Sequence, residues 1–321
     1  MSSSIAATVT MIGSNVSPQD WRTDEDWPAG QSPDAAPNND FLVPSNVLNP
    51  PSPPNPILRS PNNGTTATST FEGNSLQFDA SSIFRLKGVS GTTITVNDLR
   101  LNGGTLHNGN NNGVQTVAGN INVLSSSNMD IGEMAGQVFN ESGGSVNQNR
   151  RLVIESTLSG SGILNIGLDP ANGNANDVTT GNFGLAGIDR GVEITSLNNT
   201  FTGGWNVMGG VLRGMGAGSL GPEGDITVGL GAGFETDYDL SFPGNILFLD
   251  GVVNLDQNLS FGAITVAGTQ LTPGTYDSAT LTASFPNNFI GGPGSLTVIP
   301  EPGSLALAGV VLLGSVRRRR S

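Results

Sequence analysis

Asn199-Thr200-Phe201-Thr202-Gly203-Gly204-Trp205-Asn206-Val207-Met208-Gly209-Gly210-Val211-Leu212 is the stretch whose reading decides the fold. Gly costs about 1 kcal/mol at a helical position, whereas β-branched and aromatic residues pack well on a pleated surface. Short strands separated by Gly turns are therefore expected here. The texture continues to Gly218-Ser219-Leu220-Gly221 and reappears at Leu101-Asn102-Gly103-Gly104-Thr105-Leu106 and at Leu158-Ser159-Gly160-Ser161-Gly162-Ile163-Leu164. The spacing is uneven, so the repeat is imperfect. Its physical reading is a parallel β-solenoid, each coil stacking its apolar positions on the next with Gly and Asn at the corners. A β-sandwich with frequent turns is the alternative.

The rest of the chain agrees with an all-β class. Gly makes up 46 of 321 residues and charged residues only 12%, too few of the favoured helix formers for a helical protein. Short runs read as strands at Ser75–Phe78, Ile83–Leu86, Thr92–Leu101, Gly119–Leu124, Leu152–Leu158, Ile226–Val228 and Ala263–Val266. Ile94-Thr95-Val96 and Ile121-Asn122-Val123 alternate as half-buried strands should. Upstream, residues 44–61 hold seven Pro, which cannot donate to a central ladder, so residues 1–66 read as an extended, partly disordered segment with a Pro-rich linker. The body is expected over 67–267 and a β cap over 268–298.

The segment around residues 199–221 resembles the autotransporter-associated β-strand repeat. One clear copy of about 23 residues is present, with Trp205 where the repeat carries a small or β-branched residue. The resemblance implies a Gly/Asn-rich right-handed parallel β-helix. No outer-membrane barrel sequence follows, so self-translocation is not implied.

The C-terminus carries a second pattern over residues 299–321. Pro300-Glu301-Pro302 precedes an apolar run from Ser304 to Val316, then Arg317-Arg318-Arg319-Arg320 and Ser321. An apolar segment followed by clustered Arg is the charge pattern of a span whose C-terminal side stays in the cytoplasm. Thirteen helical residues cover roughly 20 Å, short of the roughly 30 Å hydrocarbon core, and snorkelling Arg stems extend that reach. A single short hydrophobic helix is expected. The three parts, in this order, resemble the PEP-CTERM sorting signal of Gram-negative bacteria. The resemblance implies that an exosortase, a membrane-embedded cysteine transpeptidase, recognises Pro300, Glu301 and Pro302. It also implies a transient inner-membrane anchor, with the body then passed to the cell surface or extracellular matrix.

Export should leave a mark at the other end too. Met1–Ala7 has neither a basic region nor an apolar core, although Ser4-Ile5-Ala6 has the small residues of a cleavage site. A translation start upstream of Met1 would reconcile the two ends; the alternative is that Met1 is the start and that export fails or takes another route.

Composition narrows the function classes. Cysteine is absent, excluding disulfides and thiolate chemistry. Net charge is −13, and without Glu301 and the four terminal Arg the body carries 9 basic and 25 acidic residues, a net −16. Such a body repels nucleic-acid phosphates. No Gly-rich stretch precedes a Lys-Ser/Thr pair, so phosphate cradling has no support.

His107 is the one histidine and reads as a solvated turn residue, since a catalytic base or metal cluster needs partners. Asp169-Pro170-Ala171-Asn172-Gly173-Asn174-Ala175-Asn176-Asp177 offers hard oxygen ligands, but its spacing fits no known calcium loop, so an ordinary polar loop is favoured over Ca2+. Asp237, Asp239 and Asp250 are scattered and support no metal site. No cofactor is expected.

A carbohydrate-active β-helix enzyme, a polysaccharide lyase or hydrolase, needs facing carboxylates or a base beside calcium. Arg150, Arg151 and Arg190 with Glu155, Asp189 and Glu193 are the available groups, and no compact motif joins them. Arg150-Arg151 and Glu155 read better as solvated surface pairs. Trp21 and Trp27 are candidate glycan contacts, with stapling of the N-terminal segment onto the first coil as the favoured alternative. The sequence therefore points to a non-enzymatic, exported structural or adhesive protein. Its expected partners are an exosortase, the inner membrane before processing, and exopolysaccharide or other surface glycans.

Overall fold

The computed structural model describes residues 6–13, 20–23, 26–45, 56–61, 68–108, 113–131, 151–167 and 191–299. These residues build two long sheets whose neighbouring strands are almost all parallel. The chain enters the first sheet with β1 (Thr8–Thr10) and β2 (Asp40–Val43) and crosses to the second with β3 (Ile57–Arg59). It returns as β4 (Thr68–Thr70) and β5 (Ser75–Asp79), and from there it alternates between the sheets. The next passages are β6 (Ile83–Leu86), β7 (Thr92–Asn102), β8 (Thr105–Asn108), β9 (Val114–Ser125) and β10 (Ser127–Asp130). Then come β11 (Arg151–Ile154) with β12 (Thr157–Gly160), β13 (Leu164–Ile166), β14 (Gly191–Ile194), β15 (Trp205–Val207) and β16 (Gly210–Gly214). The last regular circuits use β17 (Ile226–Val228), β18 (Ala232–Thr236), β19 (Leu240–Leu249), β20 (Val252–Asn254) and β21 (Leu259–Val266).

Each circuit lays one strand on the strand of the circuit before, so like positions stack. Phe84, Leu106, Met129, Ile166, Val207, Val228, Leu249 and Val266 form one continuous apolar column down the second sheet. Leu76, Leu99, Ile121 and Leu158 do the same on the first. All are buried, in one cluster that runs from Val9 to Val298. Burying each such side chain stabilises the fold by about 1.5–3 kcal/mol relative to exposure.

The first sheet is creased. β7 pairs β4 with its first half and β5 with its second, and β9 likewise pairs β11 and then β12. The crease passes Gly119, where a Cβ would lie 2.0 Å from the Val96 carbonyl oxygen, and where φ is +105°. Only Gly fits that approach. The Asn120 amide donates across the same line to the Asn97 carbonyl at 2.8 Å.

Within the segment 1–66 the described residues include three strands, while residues 46–55 of the expected Pro-rich linker lie outside the described residues. β1, β2 and β3 are the opening strands of both sheets, and an aromatic plug fills the core between them. Trp27 packs edge-on against Phe41 at 5.0 Å, Phe41 against Phe71 at 5.5 Å, and Trp21 against Phe71 at 5.6 Å. None of these three strands contains a Pro: Pro44, Pro56 and Pro61 flank β2 and β3, and Pro50, Pro51, Pro53 and Pro54 lie outside the described residues.

The region 268–298, expected as a β cap, pairs with the last strands of both sheets. β22 (Thr269–Gln270) and β23 (Gly274–Asp277) run antiparallel at the edge of the second sheet. The helix α1 (Ser278–Ser284) follows, N-capped by Asp277 Oδ1, which accepts the Thr280 N–H at 2.7 Å. β24 (Phe289–Ile290) and β25 (Ser295–Val298) then resume the parallel stack on β20 and β21.

Among the described residues no helix is long and apolar enough to cross a membrane. The expected hydrophobic helix within 299–321 lies outside the described residues from Pro300 onward.

Candidate functional site

The junction between body and tail is built from the last rungs of the second sheet. β25 is held on both sides: parallel to β21, with Leu296 beside Leu259 and Val298 beside Phe261, and antiparallel to β23, with Val298 beside Gly274. Leu296 and Val298 face the core. The Ile299 N–H then donates to the Phe261 carbonyl oxygen at 2.8 Å. Pro300, which has no N–H to donate, is the next residue. Pro300, Glu301, Pro302 and Arg317–Arg320 themselves lie outside the described residues, so the body's ladder runs up to the residue before the expected signal.

The fold-deciding stretch turns a corner before it forms a strand. Asn199 lies buried in the irregular segment before β15. Its Oδ1 accepts the Leu158 N–H at 2.7 Å, and its Nδ2 donates to the carbonyls of Ser196 and Ser219 at 3.0 and 2.5 Å. One side chain thus ties three circuits. Phe201 packs against Trp205 at 5.0 Å between ring centroids, and the Trp205 indole N–H donates to the Leu220 carbonyl at 3.1 Å. Trp205, unusual at the level of the repeat, is an inward-facing core residue.

On the outward face of the second sheet runs a ladder that the sequence did not announce. The Asn206 amide donates to Asn165 Oδ1 at 2.9 Å, Asn165 to Asn128 Oδ1 at 3.1 Å, and Asn128 to Thr105 Oγ1 at 3.1 Å. The steps are 41, 37 and 23 residues long. Unequal circuits hide a column that is regular in space.

The first sheet carries a charged counterpart. Arg151 Nη1 lies 3.0 Å from Glu193 Oε1, Arg213 Nη1 lies 3.6 Å from the same oxygen, and Arg213 Nε bonds Glu235 Oε1. Asn254 extends the row by donating to Glu235 Oε2 at 3.2 Å. Arg151 was expected to pair with Glu155 as a solvated neighbour. Its partner is Glu193, 42 residues on, because parallel stacking brings Arg151 beside Gly191 and the long side chain reaches diagonally to the next outward position. Arg150, Asp189 and Arg190 lie outside the described residues.

His107 corrects another expectation. It is 3% exposed in β8, between Arg85 of β6 and Asp130 of β10 in the register, with Nε2 at 3.9 Å from Asp130 Oδ2. The Gly-Gly before it makes the corner, so His107 falls on a strand and not in the turn.

The Trp pair is corrected as a glycan contact as well. Trp21 and Trp27 are 0% and 1% exposed, so neither ring face is open to stack on a sugar. The Trp27 indole donates to the Trp21 carbonyl at 3.0 Å. Both rings staple the N-terminal segment onto the first circuit.

The candidate calcium loop, residues 169–177, lies outside the described residues. Asp239 sits on a surface corner where the Asn258 backbone N–H, at 2.8 Å, and its side-chain amide hold the carboxyl below its ordinary range. Among the described residues no three His, Asp or Glu side chains gather as a metal-binding group.

Comparison with known proteins finds neither a curated protein nor a solved structure that matches this chain. It does find the PEP-CTERM protein-sorting motif at residues 298–320, which overlaps the last strand by one residue and marks the chain as an exported protein processed by an exosortase at the membrane.

Proposed function

We propose that this chain is a non-enzymatic structural or adhesive protein of the Gram-negative cell surface or extracellular matrix. Its body is a right-handed β-solenoid, released or transferred when the exosortase removes the tail. The right hand follows from the near-universal hand of parallel crossover connections. The resemblance of residues 199–221 to the autotransporter-associated repeat points the same way.

The observation that carries the reading is the place of the sorting motif. It begins at Val298, where the ladder of the body ends, so cleavage in the Pro-Glu-Pro segment leaves every rung of both sheets intact. Carboxylates of the body serve the stack: Glu193 and Glu235 pair with Arg213, and Asp40, Asp225 and Asp239 accept hydrogen bonds from neighbouring circuits. That use supports a scaffold in place of an enzyme.

The test is the C-terminal mass of the protein recovered outside producing cells. A terminus within residues 300–302, replaced by the full-length chain when Glu301→Ala is made, is the expected result. An intact Arg-ending chain that stays in the inner membrane would remove the exosortase reading. A processed chain found only in the periplasm would remove the surface role.

A further inference from the structure

The Ile299 N–H is bonded to the Phe261 carbonyl, and the apolar run starts at Ser304. Only Pro300, Glu301, Pro302 and Gly303 lie between the last rung and that run. Four residues extended or in polyproline conformation reach about 12–14 Å. The headgroup layer of one leaflet takes up roughly 5–7 Å of that length. What remains is less than the roughly 10–12 Å width of a single helix.

The anchor itself does not yield easily. Releasing β25 would break its pairing with both β21 and β23 and expose the buried Leu296 and Val298.

Around this exit the body presents an exposed rim of Pro, Gly and Thr, with the Asp225 carboxylate beside it, accepting from the Asn245 amide and the Ile246 N–H. Pro243 and Gly244 form the bulge in β19, Gly262 stacks on that bulge, and Thr272, Pro273 and Gly274 lead into the neighbouring β23. All six are exposed or half-exposed.

From this geometry we infer that, before processing, the rim at Pro243–Gly244 and Thr272–Gly274 lies against the outer headgroup layer, held there by the four-residue tether. The inference rests on the reading of residues 304–316 as a membrane segment. The opposite end of the body, at β1, stands ten strand spacings away, roughly 45 Å. The sorting signal is therefore presented to its enzyme at the membrane surface with the folded body already docked beside it.

The full chain, which has no cysteine, accepts single labels. Gly244→Cys and Thr272→Cys mark the rim, and Ala35→Cys marks the far end. Gly244 has open space where a Cβ would stand, and Thr272 and Ala35 are exposed. Each variant, fluorescently labelled, is reconstituted without exosortase in phosphatidylethanolamine/phosphatidylglycerol vesicles containing a headgroup-spin-labelled lipid. Quenching at both rim positions about twofold or more above that at Ala35 is expected. A 20-residue Gly/Ser linker inserted between Ile299 and Pro300, with an r.m.s. reach of about 25 Å, should abolish the difference.

Equal quenching at all three positions, in a chain that resists alkaline extraction from the vesicles, would overturn the docking while leaving the membrane tail intact. Quenching unchanged by the linker would overturn the tether. Extraction of the chain by alkali would remove the tail reading and the docking with it.

Discussion

The side-chain amide of Asn206 donates to Asn165 Oδ1 at 2.9 Å although the two residues are 41 positions apart. Asn165 in turn donates to Asn128, so a single amide joins two successive rungs. Asn165→Ala should remove both bonds and leave the Asn206 amide and Asn128 Oδ1 without these partners. A loss of about 1–2 kcal/mol is expected, measured as a lower urea midpoint, with Asn165→Gln failing to restore it. An unchanged midpoint would show that water replaces the ladder without cost.

The Gly203-Gly204 pair separates packing from conformation. A Cβ on Gly203 would stand 1.9 Å from the Gly162 carbonyl oxygen, whereas one on Gly204 meets nothing closer than 3.4 Å. Gly203→Ala should destabilise by about 1–3 kcal/mol through forced separation of two circuits. Gly204→Ala should be close to neutral. Thermal unfolding of the two variants side by side checks the contrast, and equal effects would contradict it.

Arg213 sits between two carboxylates, and its side chain is 10% exposed, so solvent screens the row weakly. Arg213→Met would leave Glu193 and Glu235 facing each other across one rung, with Arg151 still on Glu193. A cost of about 2–4 kcal/mol is expected. Adding Glu193→Gln should recover part of it, as a double-mutant cycle in urea would show.

The first circuits should be sensitive to acid. The Ser75 hydroxyl, and after it the Asn74 amide, hold the Asp40 carboxyl below its ordinary 3.8, against a desolvation that pushes it up. A carboxyl whose folded-state value is depressed contributes stability above its unfolded-state value, and that stability is lost as pH falls through the folded one. Asp40→Asn should therefore flatten the decline in urea midpoint below about pH 4 while changing the neutral midpoint in the unfavourable direction. An identical acid limb in both proteins would assign it to other carboxylates.

Much of the fold was legible in short runs. Ile83–Leu86 and Ile226–Val228 are strands with the boundaries read from their composition, and Thr92–Leu101 is short of its strand by one residue. The long-range partners were not legible, because circuits of 17–26 residues are interrupted by ones of 32–41. With that irregular period the pairing of Asn128, Asn165 and Asn206, or of Arg151 and Glu193, has no signature in spacing. His107 was misread for a related reason, whereas the two buried N-terminal Trp follow the favoured stapling reading and not the glycan one. Their burial depends on strands and rings brought from elsewhere in the chain, not on their own neighbours.

What the sequence by itself determined is the β texture, from abundant Gly and Asn between β-branched runs, and the sorting tail, whose three parts are contiguous and therefore readable in one dimension. Only the tertiary structure decided that β1, β2 and β3 open the stack, that polar side chains align into ladders, and that the last rung ends one residue before Pro300. The physical reason is that parallel pairing joins residues tens of positions apart, so its registers are set by the packing of whole circuits and by no local preference.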